Sequence, residues 1–160
     1  MPIGAVLPET PLAIDTDVLT DWRYQKPYAI NEIRKYLERS KRPPALTSMS
    51  VFEAFYGFEN TIAKSDLVND RTQQDLSNLE RLVAACPVLP FDQASAKIAS
   101  YLFPRLSKSD QSKHGRDVFI IATVVAHGYG IATRNKSDFE LIGGLLSANH
   151  PMLRLAIWKP

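Results

Sequence analysis

Asp15, Thr16 and Asp17 follow the apolar run Leu12-Ala13-Ile14 and precede Val18-Leu19, so two carboxylates and a hydroxyl stand where a short buried strand is expected to stop. In open α/β sheets, ligands bind at that carboxyl end. Two carboxylates two residues apart repel each other and resist burial, and a divalent cation is one way to compensate them. The ordinary alternative is that Thr16 or Asp17 caps the helix that follows. Three further acids hold comparable places: Glu53 in the first turn of a helix after a second strand, Asp117 at the head of a strongly apolar helix, and Asp138 just after a strand at 131–133. Singly, each has a local explanation: Glu53 as capping-box partner of Ser50, Asp117 through the helix dipole, Asp138 as the cap of the last helix. Jointly they could converge at one edge of a sheet. Gly57, one helical turn after Glu53, leaves room beside that carboxylate.

Hard carboxylate oxygens suit a divalent cation, which would make a bound water the nucleophile and remove the need for a protein one. Cys86 stands alone with no obvious His partner, and His114, His127 and His150 lack metal-ligand spacing; His127 reads as a helix-end residue before Gly128. Arg116, Arg134 and Lys136 flank the acids and could contact phosphates, with Lys113 and His114 on a polar surface loop at 107–116. Arg34, Lys35, Arg39, Lys41 and Arg42 form a second basic patch.

The elements that must position these groups alternate. Residues 1–11, rich in proline, read as an N-terminal tail, and 12–160 as the domain. Strand 12–14 leads into a short helix through Leu19 and Trp22; a break near Pro27 precedes a helix from Tyr28 to Arg39 with the stripe Ile30, Ile33, Leu37. Ala45-Leu46-Thr47 is a second strand, followed by a helix from Ser50 and another from about Ser65 to Ala85 with Leu76, Leu79 and Val83 on one stripe, the two forming a hairpin. Residues 87–90 give a short strand, Asp92 a cap, and Pro104 interrupts the helix that bears Ile98, Tyr101 and Leu102. The helix Val118 to His127 is apolar on nearly every side and should be buried; a strand at 131–133, a brief helix through Phe139 and Leu141, and a strand Leu153 to Trp158 close the chain. Strand–helix alternation indicates an α/β fold with a mainly parallel sheet. Phe52, Phe55, Tyr56, Phe58 and Trp22 are too many for one core stripe, so an exposed subset would mark a partner surface.

Composition bounds the rest. At 160 residues and 45% hydrophobic, the chain suits one domain, and 19 basic against 17 acidic residues give a net charge of +2, so any electrostatic footprint is local. The longest apolar run is too short for a bilayer, the N-terminus lacks a secretion signal, and a lone cysteine fits a reducing compartment. A cytoplasmic protein without a membrane partner is expected.

Ile14-Asp15-Thr16-Asp17-Val18-Leu19, Glu53-Ala54-Phe55-Tyr56-Gly57, Val88-Leu89-Pro90-Phe91-Asp92 and above all Asp117-Val118-Phe119-Ile120-Ile121-Ala122-Thr123, running on through Ala126-His127-Gly128 to Ala132-Thr133-Arg134-Asn135-Lys136-Ser137-Asp138-Phe139, resemble the PIN-domain nucleases. Within them the match is to the VapC-type toxins of toxin–antitoxin pairs, over about residues 12 to 158. The resemblance implies a three-layer α/β/α domain with a parallel five-stranded sheet. It also implies one acidic pocket of Asp15, Glu53, Asp117 and Asp138 for Mg2+ or Mn2+, supported by Thr16 and by Asp17 and Asn135 nearby. It further implies metal-dependent endoribonuclease activity on structured RNA, a second copy of the chain as partner, and a VapB-type antitoxin whose Arg can enter the pocket. Asp17 stands where the family usually has Asn, and Gly115 and Arg116 stand where many members have a further acid near Asp117. Other readings remain open: a housekeeping PIN-type RNase, an inactive RNA- or partner-binding PIN domain, or a haloacid-dehalogenase-like phosphatase built on Asp15 and Asp17. The last lacks the following Gly-Thr and a late Gly-Asp-x-x-x-Asp pair.

Overall fold

A computed structural model describes residues 2–65 and 68–160. Strands β1 (Ile3–Ala5), β2 (Leu12–Ile14), β3 (Leu46–Thr47), β4 (Val88–Leu89), β5 (Gly130–Thr133) and β6 (Leu153–Ile157) alternate with helices α1 (Thr16–Arg23), α2 (Pro27–Ser40), α3 (Ser48–Ser65), α4 (Asp70–Ala85), α5 (Gln93–Leu102), α6 (Lys108–Ala126) and α7 (Lys136–Gly143). Four strands form a sheet in the order β1-β6-β5-β2, and β3 pairs with β4; every pairing is parallel. The expected five-stranded sheet is therefore four strands plus a pair. The two are joined where Ala45 N donates to Leu12 O and Ile14 N to Ala45 O, each at 2.9 Å.

Strand residues alternate between two cores, as the two-residue period of a sheet buried on both faces requires. Ala13, Ala45, Ile131 and Leu153 face one cluster, with Ile98 and Leu102 of α5, Ile120, Ile121 and Val124 of α6, and Phe139 and Ile142 of α7. Leu12, Ile14, Leu46, Ala132 and Trp158 face the other, with Val18 and Leu19 of α1 and Ile33 and Tyr36 of α2. This is the three-layer α/β/α arrangement. Full burial of side chains such as Ile14, Leu46 and Ile131 stabilises each layer by about 1.5–3 kcal/mol per residue.

Four local expectations are corrected. Residues 108–113, expected in a surface loop, are the first turns of α6: Ser107 caps them by accepting from Asp110 N at 3.0 Å, and Gln111 Nε2 ties them to Phe103 O and Leu106 O. Loop-like composition was outweighed by a cap and tertiary hydrogen bonds. On α2 the buried stripe is Ala29, Ile33 and Tyr36, with Ile30 and Leu37 exposed, because the Tyr36 hydroxyl reaches into the core to accept from Leu12 N at 2.9 Å. The helix expected from Ser65 spans Asp70–Ala85, and residues 66 and 67 lie outside the described ones. Within 1–11, Ile3–Ala5 adds an edge strand beside β6. Pro104, Asp92 and His127 behave as expected: a 3-10 turn at 103–105, a cap accepting from Ser95 N at 2.9 Å, and the end of α6 before Gly128 at φ 73°.

Candidate functional site

Asp15 leaves β2 as the cap of α1. Its Oδ1 accepts from Thr16 N at 2.7 Å and its Oδ2 from Thr133 Oγ1 at 2.8 Å. The β2–β5 register explains the second contact: Ile14 pairs with Ala132, so the next residues on each strand, Asp15 and Thr133, meet. Asp15 is buried, and loss of hydration, followed by the charge of Asp17, pushes its carboxyl up to about 8 against the lowering pull of Thr133 and the Thr16 amide.

Glu53 does not serve a capping box. Thr47 caps α3, its Oγ1 accepting from Ser50 N at 3.1 Å, while Glu53 Oε1 accepts from Thr16 Oγ1 at 2.8 Å. A hydroxyl beside Asp15 thus orients the second acid. Gly57 faces open space, with nothing within 4 Å of where its Cβ would be.

Asp117 lies in the first turn beyond a kink in α6 at His114 (φ −119°, ψ 15°). Burial, then Glu53, pushes its carboxyl up to about 6 against the lowering effect of His114, and Asp138 adds a smaller rise. Asp138 does not cap α7; Asn135 does, its Oδ1 accepting from Asp138 N at 3.4 Å while its Nδ2 donates to Asp138 Oδ2. Asp138 is thereby aimed back at α6. His114 Nδ1 lies 3.5 Å from Asp117 Oδ2 and 3.6 Å from Asp138 Oδ2, and ligand atoms of these three residues fall within 4.8 Å of one another.

All four predicted acids therefore occupy one electrostatic neighbourhood at the carboxyl ends of β2 and β5. His114, expected on a surface loop beside Lys113 and without metal-ligand spacing, instead joins this neighbourhood from within α6. Its signal was the i, i+3 spacing to Asp117, invisible while 107–116 read as a loop. Thr133 was missed by sequence reading, because only strand register brings it to Asp15.

The basic residues divide. Arg116 Nη1 lies 3.8 Å from Glu53 Oε2, and with Lys113 and Ser112 it lines an open depression of about 500 Å³ that Glu53 and Asp117 also line. Arg134 turns away: its Nε is 3.5 Å from Asp17 Oδ2 and its Nη1 3.1 Å from the buried Asp21, which also accepts from the Tyr28 hydroxyl. Asp17 therefore belongs to an outer ion-pair network and acts on Asp15 only through its charge. Lys136 is exposed and 3.8 Å from Glu140. Cys86 is buried, and burial pushes its thiol up to about 11, which disfavours the thiolate form.

Comparison with known proteins bears on the chain's fold and relatives. No family model matches the chain. A VapC ribonuclease, Y4jK of Sinorhizobium fredii, is 39% identical over 56 residues, 35% of this chain; the match spans only 40% of that relative's length. VapBC2 from Rickettsia felis, bound to a DNA fragment from its promoter, superposes with a TM-score of 0.67 at 16% identity, covering 92% of this chain and 98% of the other. The fold is that of VapBC chains. DNA-bound VapBC from Salmonella typhimurium gives 0.64 at 17% identity, covering 94% and 99%. The resemblance to VapC-type PIN domains thus extends from short sequence blocks to the whole three-layer fold. Among the described residues, no helix is long and apolar enough to cross a membrane.

Proposed function

We propose that this protein is a Mg2+- or Mn2+-dependent endoribonuclease of the VapC toxin type, cleaving phosphodiester bonds in structured RNA and restrained by a VapB-type antitoxin. The observation that carries the reading is the clustering of the acids: Thr16 bonds to both Asp15 and Glu53, His114 lies 3.5 Å from Asp117 and 3.6 Å from Asp138, and burial followed by the neighbouring carboxylates raises Asp15 and Asp117. Carboxylates so placed are costly unless protonated or matched by positive charge, and their hard oxygens suit a divalent cation. The similarity to a VapC ribonuclease and to VapBC chains supports the same reading.

Asp15, Glu53, Asp117 and Asp138 would hold the cation, directly or through water. When bound, it supplies a water acidic enough to attack phosphorus and offsets charge on the phosphoryl oxygens. The chain's own residues do the rest. Thr133 and the Thr16 amide fix both oxygens of Asp15, the Thr16 hydroxyl fixes Glu53, and Asn135 fixes Asp138. His114 stands between Asp117 and Asp138 and holds them in register. Lys113 and Arg116 provide cations for phosphates entering the depression. Arg134 offsets Asp17 and Asp21, so its part in binding RNA is to limit the negative charge around Asp15, while Lys136 offers an exposed contact to the backbone beyond.

A phosphatase mechanism needs a second acid free beside Asp15. Asp17 is instead occupied by Arg134 and by the Val18 amide at 2.7 Å, which supports the nuclease reading over that alternative. The test is incubation of purified, antitoxin-free protein with RNA and with a phosphatase substrate, with and without Mn2+. Metal-dependent internal cleavage of RNA with no phosphate release is expected. Phosphate release, or absence of RNA cleavage, overturns the proposal. Growth arrest on expression, relieved by a co-expressed small neighbouring gene product, separates a toxin from a housekeeping RNase. The site is expected to serve a cytoplasmic homodimer, checked by light scattering.

A further inference from the structure

Of the aromatic residues on α3, two are left exposed beside Arg116, a residue that lines the acidic depression. Phe52 is 50% and Tyr56 46% exposed, although packing a large ring away from water is worth a few kcal/mol. They lie one helical turn apart, stacked with centroids 5.5 Å apart and ring planes at 23°. The Arg116 guanidinium sits over both rings, 5.6 Å and 5.2 Å from their centroids, and the same side chain reaches Glu53 Oε2 at 3.8 Å. Glu53 is the residue after Phe52 and three before Tyr56, so the ring pair is one side chain away from the proposed cutting centre.

We propose that Phe52, Tyr56 and Arg116 form a stacking platform for an unpaired nucleobase of the RNA, next to the phosphate held over the acids. This rests on the nuclease reading above and narrows its substrate to unpaired segments. Planar aromatic faces and a guanidinium plane are the surfaces on which splayed bases stack, and stacking of this kind tolerates any base. In an A-form duplex the base faces are already occupied, so paired RNA gains nothing from the platform. The depression beside it, lined by Lys113 and Arg116 together with Glu53 and Asp117, supplies the backbone half of the same nucleotide site.

The test uses the full chain and a short single-stranded RNA carrying one 2-aminopurine, with Ca2+ in place of Mn2+ and the strand checked to be intact. Stacking quenches the probe. The wild-type protein is expected to quench it. Phe52→Leu and Tyr56→Leu, which keep apolar bulk but remove the flat face, are each expected to weaken binding about tenfold. Tyr56→Phe should restore it, and binding of a duplex of the same sequence should not change. No quenching by wild type, equal binding by the leucine variants, or a change of mass in light scattering that accompanies their loss of binding overturns the platform; the last outcome would make the rings a protein-contact surface. The two readings fail separately. If wild type does not cut RNA in Mn2+, the nuclease reading fails whatever the quenching; if it cuts and the leucine variants bind as wild type does, only the platform fails.

Discussion

Thr133 Oγ1 donates to Asp15 Oδ2 at 2.8 Å across 118 positions of sequence, and the same oxygen accepts from Asn135 N at 3.0 Å. One buried hydroxyl thus ties the first acid to the turn that carries the fourth. Replacing it with the isosteric valine leaves a buried carboxyl oxygen and a backbone amide without their partner, a cost of about 1–3 kcal/mol each at the upper limit. Thr133→Val should therefore lose about 2 kcal/mol of stability in urea, while Thr133→Ser stays within about 1 kcal/mol of wild type. Equal midpoints for valine and wild type would contradict the role given to this contact.

The raised carboxyls set a pH dependence. Asp15 is near 3.8 in its ordinary state and about 8 in the fold, and Asp117 rises to about 6. Between those values the native state binds more protons than the unfolded chain, so stability is fullest below about pH 4 on this count and is lost as pH climbs to about 8. In EDTA, the Tm contribution from these groups should fall from pH 6 to pH 8, and Mn2+ at pH 8 should restore it. A Tm in EDTA that rises over that interval, and that Asp15→Asn does not change, would contradict this.

α7, which carries Asp138, packs against β6 through a glycine. A Cβ at Gly143 would meet Leu153 Cδ2 at 2.6 Å and Ile3 Cδ1 at 3.4 Å. Gly143→Ala should destabilise by about 1–3 kcal/mol through overpacking. Restoration by Leu153→Val in the same chain would locate the clash, and an unchanged denaturation midpoint for the single variant would refute the close approach.

Arg134 and Asp21 form the closer of the two ion pairs that Arg134 makes in the outer network, at 3.1 Å with Asp21 buried. A double-mutant cycle of Arg134→Gln and Asp21→Asn should show coupling of about 0.5–3 kcal/mol. Additive single effects would mean that Arg134 is free to serve RNA directly.

How much of this was legible beforehand depends on the range of the interaction concerned. Asp15, Glu53, Asp117 and Asp138 could be picked out because each follows a strand or begins a helical stretch, and local pattern reports that. The burial of Ile120 likewise followed from a helical stretch apolar on nearly every side. What could not be read were contacts set by register and packing. The Thr133 hydroxyl reaches Asp15 only because β2 and β5 pair in one register. His114 enters the site only because a polar decapeptide is held helical by Ser107 and Gln111. The stripe on α2 moved to Tyr36 because one hydroxyl found a buried amide. Asp17, half of the opening motif by sequence, is drawn off by an arginine more than a hundred residues away.

The most direct test of the four-acid site is Asp15→Asn, assayed for Mn2+-dependent RNA cleavage alongside its Tm in EDTA at pH 8. Asparagine keeps the shape and can still bond with Thr16 N and the reversible Thr133 hydroxyl, but it cannot supply the charge. The account predicts cleavage reduced by at least about 100-fold with a Tm equal to or above that of wild type. Cleavage at the wild-type rate by the folded variant would contradict it.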